Sequence, residues 1–209
     1  MINVGRPRYV FETHLQWAID GAVDVLDIGT AQRFSKELAR FRHLFDGKKY
    51  IAAGFHRENG QRIDGCDCHQ DIQSMTFPDA SFDTILCIEV LEHVSNPFLA
   101  ASEIVRTLRP GGRLFLTTPF LTSYHGKGHG SSQDDFADYW RFTHQGLEQL
   151  FSTLSMRRVV ALHGPIETRI QLMKCDRFLR GPLRKVLDRI DHPRLGKATS
   201  RHLLCGQKK

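Results

Sequence analysis

A group of acidic, basic and aromatic side chains lies between residues 119 and 143, in a segment that is also rich in Gly and Ser. A neutral histidine such as His125 or His129 can remove a proton near pH 7, and an aspartate such as Asp138 can orient that histidine. The same residue types could instead hold a divalent cation. Other side chains of the segment that could contact a ligand are Asp134, Asp135, Tyr139, Trp140 and Arg141.

A structural role explains the same segment without any chemistry. Gly, Ser and His tracts are common in surface loops, and Asp138 with Arg141 could form one ion pair that holds Trp140 in place. The segment follows the apolar run RLFLTTPF. Loops outside strand ends build binding sites in open sheets, so this position favours a functional role.

The elements before this segment form a strand, helix and strand series. SFDTILCI, residues 81–88, has no polar alternation, which is typical of an interior strand of a parallel sheet. A helix should follow from Asn96 and end at the Pro110–Gly112 turn, before RLFLTTPF begins the next strand. This order predicts a right-handed βαβ unit. The apolar stripe of the helix is predicted to be Phe98, Leu99, Ile104, Val105 and Leu108.

The same alternation extends along the rest of the chain and predicts a doubly wound α/β fold. Helices are expected at residues 8–20, at 34–45, after Thr143 and, with breaks at Gly181-Pro182 and His192-Pro193, over 164–198. Strands are expected at 23–29, 48–54, 156–164 and 199–206, and a short third strand near 62–66. We expect a single domain, residues 1–209, with its core at about 8–163 and 199–207 and a basic helical insertion at about 164–198.

Composition is consistent with one intracellular domain. The 209 residues are 41% apolar, and no run reaches the roughly 20 apolar residues of a membrane span. The N-terminal residues lack the apolar stretch of a signal peptide, so a cytoplasmic location is expected. The five cysteines are odd in number and scattered, which favours reduced thiols.

Positive charge is concentrated in the last quarter of the chain. Residues 157–209 carry 14 Lys and Arg against 4 Asp and Glu, while the rest of the chain has a net charge of −4. This asymmetry indicates an anionic partner, such as a phosphorylated substrate, nucleic acid or a membrane surface. A solvated helical face is an equally simple explanation.

The block from Asp71 to Gly112 resembles the central third of class I S-adenosylmethionine (SAM)-dependent methyltransferases. Over about residues 23–155 the chain is similar to the broad type 11 group of that family. The resemblance implies a Rossmann-like, mostly parallel sheet of seven strands, in which the last strand lies antiparallel beside the fifth. It also implies that SAM binds across the carboxyl ends of the first strands, with S-adenosyl-L-homocysteine (SAH) as the product.

The resemblance also assigns cofactor contacts to individual residues. In VLDIGT, Asp27, Gly29 and Thr30 match the start of the family's glycine-rich first motif. Asp71 matches the acid that accepts a hydrogen bond from the adenine amino group, and Ile72 matches the residue whose backbone N–H meets a ring nitrogen. Glu89 corresponds to a residue beside the methionyl end of SAM, whereas Glu92 and His93 are mainly structural in the family.

Two departures from the family pattern lie on the cofactor side. The usual second and third glycines of the first motif are Ala31 and Arg33, and the acid that grips the ribose hydroxyls is replaced by Gly54. Losing such a hydrogen bond typically costs about 1.5 to 3 kcal/mol. Glu58 or Asp67 could compensate from a nearby loop, and an inert, partner-binding relative is an alternative.

The DYWRFT stretch, residues 138–143, resembles a methyltransferase subgroup often associated with surface-glycan and other small-molecule pathways. We therefore expect O-methylation of a hydroxyl on a small molecule or glycan. An anionic acceptor is one option. His125, His129 and Asp138 are the catalytic candidates, and Tyr139, Trp140 and Arg141 are the substrate candidates. Peripheral contact with an anionic membrane through the basic region is a further expected interaction, and a nucleic-acid acceptor is the weaker alternative.

A resident metal is not expected from the sequence. The cysteines and histidine of CDCH, residues 66–69, are too closely spaced for a Cys-x2-4-Cys knuckle, and no second pair completes a tetrahedral set.

Overall fold

The computed structural model describes residues 7–55, 65–126, 137–172 and 199–209. Its seven strands form one sheet in the order β3-β2-β1-β4-β5-β7-β6. They are β1 (Asp24–Ile28), β2 (Lys49–Gly54), β3 (Cys68–His69), β4 (Phe82–Ile88), β5 (Leu108–Pro119), β6 (Ser155–Ala161) and β7 (Arg201–Gln207). The first five pair in parallel, and β7 lies antiparallel between β5 and β6. The seven-stranded, mostly parallel sheet with an antiparallel last strand is confirmed.

The helices are α1 (Pro7–Ile19), α2 (Lys36–Ala39), α3 (Pro97–Thr107), α4 (His144–Leu150) and α5 (Pro165–Leu172), with 3-10 turns at Arg42–Phe45 and Leu91–His93. One face of the sheet packs against α1 and α2, and the other packs against α3 and α4. Strand residues alternate between these two cores: Val25, Leu86 and Phe115 face the first, whereas Leu26, Ile85 and Leu114 face the second. Burial of the central strands on both faces explains their unbroken apolar sequence.

The predicted caps of two helices are present. The Asn96 side chain accepts hydrogen bonds from the amides of Phe98 and Leu99, and Pro97 occupies the first helical position. The Thr143 hydroxyl accepts from the amide of Gly146. Each cap satisfies amides that have no partner inside the helix, so these helix starts are fixed by local sequence.

Other boundaries differ from the sequence-based expectations. The predicted stripe of α3 is wrong at its start, because Phe98 and Leu99 are 69% and 51% exposed; the helix buries Pro97, Ala100, Ala101 and Ile104 instead. It also ends at Thr107, since Leu108 already pairs with Phe82 in the sheet. The helix expected at 34–45 is split between α2 and a 3-10 turn.

The third strand lies at Cys68–His69 rather than near 62–66. It pairs with only the last two residues of β2, Ala53 and Gly54. Of the helical region expected at 164–198, α5 is present at Pro165–Leu172. The rest of that region, including both predicted breaks and most of its basic residues, lies outside the described residues. No helix in the described ranges is both long and apolar enough to cross a membrane.

Candidate functional site

The turn after β1 is tight and can hold only glycine at its first position. Gly29 has a φ of 78°, and its amide donates to the Ala53 carbonyl at 2.7 Å. A Cβ on Gly29 would stand 2.6 Å from both Cγ atoms of Val90. Thr30 follows, buried, with its hydroxyl donating to the Gln32 carbonyl at 2.6 Å. The strand end is thereby held in a fixed shape beside β4.

Asp27 lies beneath this turn with its carboxyl fully buried. Burial raises the pKa of Asp27 to about 7, and the hydrogen bond that it accepts from the Tyr50 hydroxyl offsets part of this rise. Tyr50 is in turn stacked on Phe34, with ring centroids 4.4 Å apart. The carboxyl of Asp27 therefore titrates near neutral pH.

A cavity of about 130 Å³ opens at the carboxyl end of β1. Three carboxyl side chains, those of Asp27, Glu37 and Glu89, are among its walls. Glu37 lies in the first turn of α2, which is anchored by the fully buried Leu38. The other lining residues are Gly29, Thr30, Ala31, Ser35 and Ile88. Carboxyl groups gathered in one wall suit a cationic ligand, which would also favour the ionised form of Asp27.

Glu89 directly follows β4 and has a strained backbone. Its φ of 55° lies in the left-handed region, and its amide donates to the Thr117 carbonyl at 3.0 Å. Oε2 of Glu89 lies 3.3 Å from Nε of Arg201, whereas Oε1 is buried without a hydrogen-bond partner among the described residues. A non-glycine residue held in this conformation, with an unsatisfied oxygen, is a common mark of a functional position.

A second cavity of about 610 Å³ shares Glu37 and Glu89 with the first. The two spaces therefore adjoin at these carboxylates. The remaining walls of the larger cavity are His93, Pro119, Thr122, Ser123, His125, Gln171 and Arg201. The larger space combines imidazole, hydroxyl and guanidinium groups, which can bind and deprotonate a polar molecule.

Residues 137–141 pack against the 3-10 turn that follows β4. The amides of Tyr139 and Trp140 donate to the Glu92 carbonyl at 2.7 and 3.3 Å, and Nε1 of Trp140 donates to the Val94 carbonyl at 2.8 Å. Tyr139 and Trp140 are 56% and 40% exposed, and neither lines the two cavities. Their hydrogen bonds attach the DYW stretch to the end of β4.

Asp138 joins Arg141 to the loop that carries His125. Its buried carboxylate accepts hydrogen bonds from both terminal nitrogens of Arg141 and from the His125 amide at 2.9 Å. Burial alone would raise the pKa of Asp138, but the hydrogen bonds from Arg141 and His125 outweigh it and lower the pKa to about 2. Asp138 is therefore ionised at neutral pH and holds the His125 loop in place.

The rings of His93 and His125 meet edge to face at the floor of the larger cavity. Their Nε2 atoms are 3.3 Å apart. Burial lowers the pKa of His93, although the hydrogen bond to the Ala137 carbonyl opposes that shift. Glu92, next to this pair, has no exposed side-chain surface, and burial together with the negative charge of Glu89 raises its pKa. Two imidazoles thus stand beside a buried carboxyl group, and burial favours the neutral form of His93.

The predicted adenine-side residues lie apart from both cavities. Asp71 is exposed, and its Oδ1 accepts from the Gln73 amide at 2.9 Å, as in a capped turn. The Ile72 side chain is buried in the core. Gly54 is enclosed, because a Cβ there would stand 2.8 Å from Sγ of Cys66. No acidic side chain fits at Gly54 in this arrangement.

Arg33, which departs from the family pattern, forms an ion pair with Asp67, one of the two residues that could compensate for the missing ribose acid. NH1 of Arg33 lies 2.6 Å from Oδ2 of Asp67, which also accepts from the Ala52 amide at 2.8 Å. The charge of Arg33 is thereby directed towards the β2–β3 connection, and Asp67 is used for structure. Glu58, the other candidate, lies outside the described residues, as do His129, Asp134 and Asp135.

Sequence reasoning missed Glu37, Ser123 and Arg201 as cavity residues and treated Glu92 and His93 as structural. Arg201 and Glu89 are 112 positions apart in the chain and meet because β7 inserts beside β5. A spacing pattern contains no signal for such a contact.

Comparison with known proteins agrees with the fold. Residues 26–116 match the type 11 methyltransferase family, described as a methyltransferase domain. Two relatives share the name ubiquinone biosynthesis O-methyltransferase. The one from Idiomarina loihiensis is 39% identical over 29% of this chain and 25% of its own length, and the one from Coxiella burnetii is 38% identical over 56% and 51%. The chain thus spans between a quarter and about half of these relatives.

A solved structure of a SAM-dependent methyltransferase from Thermotoga maritima, named as a possible histamine N-methyltransferase, superposes with a TM-score of 0.57. It covers 97% of this chain and 92% of the other, at 16% identity, which shows a shared fold. The sheet order and the glycine turn after β1 agree with this shared fold, and residues 26–116 are similar to the methyltransferase domain family.

Proposed function

We propose that this protein transfers a methyl group from SAM to a hydroxyl oxygen of a small-molecule or glycan acceptor. The observation that carries the proposal is the pair of adjoining cavities that share Glu37 and Glu89. The smaller one has the fixed glycine turn and three carboxyl groups, and the larger one has two histidines. Cofactor and acceptor can therefore meet at the shared wall.

The smaller cavity fits the charged end of SAM. The cofactor supplies a methyl group on a positively charged sulfur, and its methionyl part carries an ammonium group. Carboxylates of Asp27, Glu37 and Glu89 would stabilise these charges, and the buried, unpartnered Oε1 of Glu89 has room for a donor. Asp71 and the Ile72 amide are the proposed adenine contacts, with Gly29, Thr30 and Gly54 along the cofactor and no carboxylate at the ribose.

The larger cavity would hold the acceptor. His125 is the proposed general base, with Asp138 as the group that positions it. The imidazole of His125 would take the hydroxyl proton, and SAM would supply the methyl group, with the bonding pair left on its sulfur. Arg201 and Ser123 would bind polar or anionic groups of the acceptor.

Two observations support oxygen as the methylated atom and a small acceptor. The relatives from Idiomarina and Coxiella are named as O-methyltransferases. The DYWRFT stretch is hydrogen-bonded to the turn after β4, which also carries His93 of the larger cavity, and this supports extending the subgroup resemblance to the acceptor. Tyr139, Trp140 and Arg141 would then border the acceptor path, and the basic segment beyond residue 172 would contact anionic acceptors or lipid headgroups.

Calorimetry with SAM and SAH tests the cofactor half of the proposal. The wild type should bind both, and a Glu37→Gln, Glu89→Gln double variant should bind SAM less well by about tenfold or more, because two charge-assisted contacts are lost. Glu148→Gln, at an exposed position on α4, is the matched control. A wild type that gives no heat at millimolar cofactor would identify the chain as a scaffold instead.

Release of SAH from SAM in the presence of acceptor panels tests the acceptor half. Phenols, catechols, hydroxylated sugars and single-stranded oligonucleotides should be compared at two salt concentrations. Turnover with hydroxyl compounds alone supports the proposal. Turnover confined to oligonucleotides, with affinity that falls steeply as salt increases, would replace it with a nucleic-acid methyltransferase.

A further inference from the structure

We propose that Glu92, His93 and His125 form a binding site for one divalent transition-metal ion. Each side chain offers one ligand atom, and the three atoms lie within 4.8 Å of one another. Glu92 and His93 belong to the 3-10 turn after β4, and His125 belongs to the loop after β5. The site thus lies at the carboxyl ends of adjacent parallel strands.

The hydrogen bonds of the two imidazoles allow both rings to offer a lone pair to one cation. Nδ1 of His93 is 2.6 Å from the Ala137 carbonyl, which can only accept, so this nitrogen carries the proton and Nε2 carries the lone pair of the neutral ring. Nε2 of His125 lies 3.3 Å from Nε2 of His93, and in one neutral tautomer it donates its proton to that atom. In the other tautomer the proton is on Nδ1, which is 3.4 Å from Oδ2 of Asp138 and 3.5 Å from the Ser123 carbonyl. A cation bound between the two Nε2 atoms would select this second tautomer.

Glu92 provides an independent indication of a ligand. Its side chain has no exposed surface, and neither carboxyl oxygen has a hydrogen-bond partner in the described part of the chain. Its Oε1 lies 3.5 Å from Nε2 of His93, too far for a good hydrogen bond. A buried carboxylate without a partner is costly, and metal coordination is one of the few ways in which proteins satisfy it.

Two of the three distances between ligand atoms match those of a coordination sphere, and the third, between Glu92 and His125, is within 4.8 Å. With bonds of about 2.0 to 2.1 Å in a tetrahedral site, two ligand atoms stand roughly 3.3 to 3.4 Å apart. The observed separations are 3.3 Å between the imidazoles and 3.5 Å between His93 and Glu92. Metal-bound histidines usually donate their second N–H to a carbonyl or carboxylate. Nδ1 of His93 has this arrangement with the Ala137 carbonyl, and Nδ1 of His125 lies 3.4 Å from Oδ2 of Asp138.

The ligand types select the ion. Two imidazoles and one carboxylate favour Zn²⁺, Fe²⁺ or Co²⁺ over Mg²⁺ and Ca²⁺, which prefer sets of oxygen ligands. Three protein ligands leave a coordination position open, and both histidines line the larger cavity. The role of the ion rests on the proposed function: an acceptor hydroxyl in the open position would have a lowered pKa. In the loaded protein His125 would be a ligand, so the hydroxyl, acidified by the ion, would lose its proton to bulk water rather than to His125.

Calorimetry with ZnCl2, CoCl2 and MgCl2, on the untagged full chain after chelator treatment, tests the site directly. We expect one Zn²⁺ or Co²⁺ per chain and much weaker Mg²⁺ binding. Co²⁺ should give visible absorption bands of a four- or five-coordinate ion. His125→Ala and Glu92→Gln should each weaken Zn²⁺ binding by about 100-fold or more, and Asp138→Asn by about 10- to 100-fold.

His43→Ala, at an exposed histidine away from both cavities, is the control that should bind Zn²⁺ like the wild type. Far-UV circular dichroism of each variant shows whether it folds, and His125→Ala changes an exposed ring that is removable without disturbing the core. Absence of Zn²⁺ binding, or unchanged binding in folded His125→Ala, overturns the site. In a separate titration, His125→Ala should still bind SAM. If the wild type binds Zn²⁺ but does not bind SAM, the proposed function is overturned and the metal site remains.

Discussion

At the scale of single residues, two buried carboxyl groups, at the glycine turn and beside the His125 loop, respond differently to pH. Asp27 is buried against Tyr50, and its pKa is raised to about 7. Asp138 is buried as well, but its contacts with Arg141 and His125 lower its pKa to about 2. Burial alone thus does not fix ionisation; the partner of each carboxyl group does.

Asp27→Asn should make the free energy of unfolding depend less on pH than it does in the wild type. Below about pH 4 Asp27 is protonated in both states, and between pH 4 and 7 it ionises only when unfolded, so stability falls as pH rises and is constant above 7. A raised pKa of this size corresponds to at most about 4 kcal/mol. Urea unfolding should therefore show that the wild type loses more stability between pH 4 and pH 8 than Asp27→Asn does. Equal losses would mean that Asp27 ionises normally.

His125→Ala should lower turnover by roughly 100- to 10,000-fold, because the imidazole either takes the acceptor proton or holds the metal that acidifies the acceptor. SAM affinity should change little, since His125 lines only the acceptor cavity. Turnover and SAM binding should be measured with and without Zn²⁺, together with a double variant that also carries His129→Ala. Activity that survives in the double variant with an unaltered pH profile would leave proximity as the source of catalysis.

Asp71→Ala should weaken SAM binding by about 1.5 to 3 kcal/mol, or roughly 10- to 100-fold, if the carboxylate accepts a hydrogen bond from adenine. Asp71→Asn keeps an oxygen that can accept from the Gln73 amide, so it separates loss of the turn from loss of charge. Equilibrium dialysis with SAM gives the comparison. Identical affinities in all three proteins would assign Asp71 to the turn alone.

At the scale of elements, the starts of helices follow the sequence more closely than their buried faces do. Asn96 and Thr143 act as caps because their oxygens reach amides two or three residues ahead, which is a local event. Phe98 and Leu99 follow a helical period yet face outwards, because small residues such as Ala100 allow α3 to lie close to the sheet. Periodicity finds an apolar stripe, but packing selects which stripe is buried.

Asn96→Ala should cost about 0.5 to 2 kcal/mol of stability, since two amides at the start of α3 lose their acceptor. Asn96→Asp retains a side-chain oxygen and should remain close to the wild type. Chemical denaturation at pH 7 measures both. An alanine variant as stable as the wild type would show that water replaces the cap at no cost.

The candidate site was predictable only where its residues belong to short motifs, and not where it depends on contacts between distant parts of the chain. The position of Asp27, Gly29 and Glu89 at strand ends follows from short motifs, and the cavity at β1 contains all three. Contact between His93 and His125 joins two loops that are 32 residues apart, so it depends on how β4 and β5 pair. Glu37 also lines the cavity, from a helix of four residues where the sequence predicted a helix over 34–45.

At the scale of the whole molecule, charge separates the chain into a slightly acidic part and a basic last quarter. Residues 157–209 carry 14 Lys and Arg against 4 Asp and Glu. Arg201, from this quarter, already reaches Glu89 at the shared wall of the cavities. Positive charge near the site would favour anionic acceptors or surfaces.

Flotation with liposomes tests the membrane version of this expectation. Recovery with vesicles that contain phosphatidylserine should exceed recovery with neutral vesicles at low salt, and the difference should decrease at 0.5 M NaCl because electrostatic attraction is screened. Replacing Arg184, Lys185 and Arg189 with glutamine should reduce recovery. Equal recovery on both kinds of vesicle would limit the basic region to acceptor binding or solvation.

The position of β7 between β5 and β6 has a consequence for how the chain is made. Synthesis proceeds from the N-terminus, so β5 and β6 must wait with open hydrogen-bonding edges until residues 201–207 leave the ribosome. Arg201 and the Glu89 contact arrive at the same late moment. Nascent chains that stall before this strand should therefore be aggregation-prone and lack Arg201 in the wall of the larger cavity. The cell would benefit from chaperones that cover the two edges during that interval.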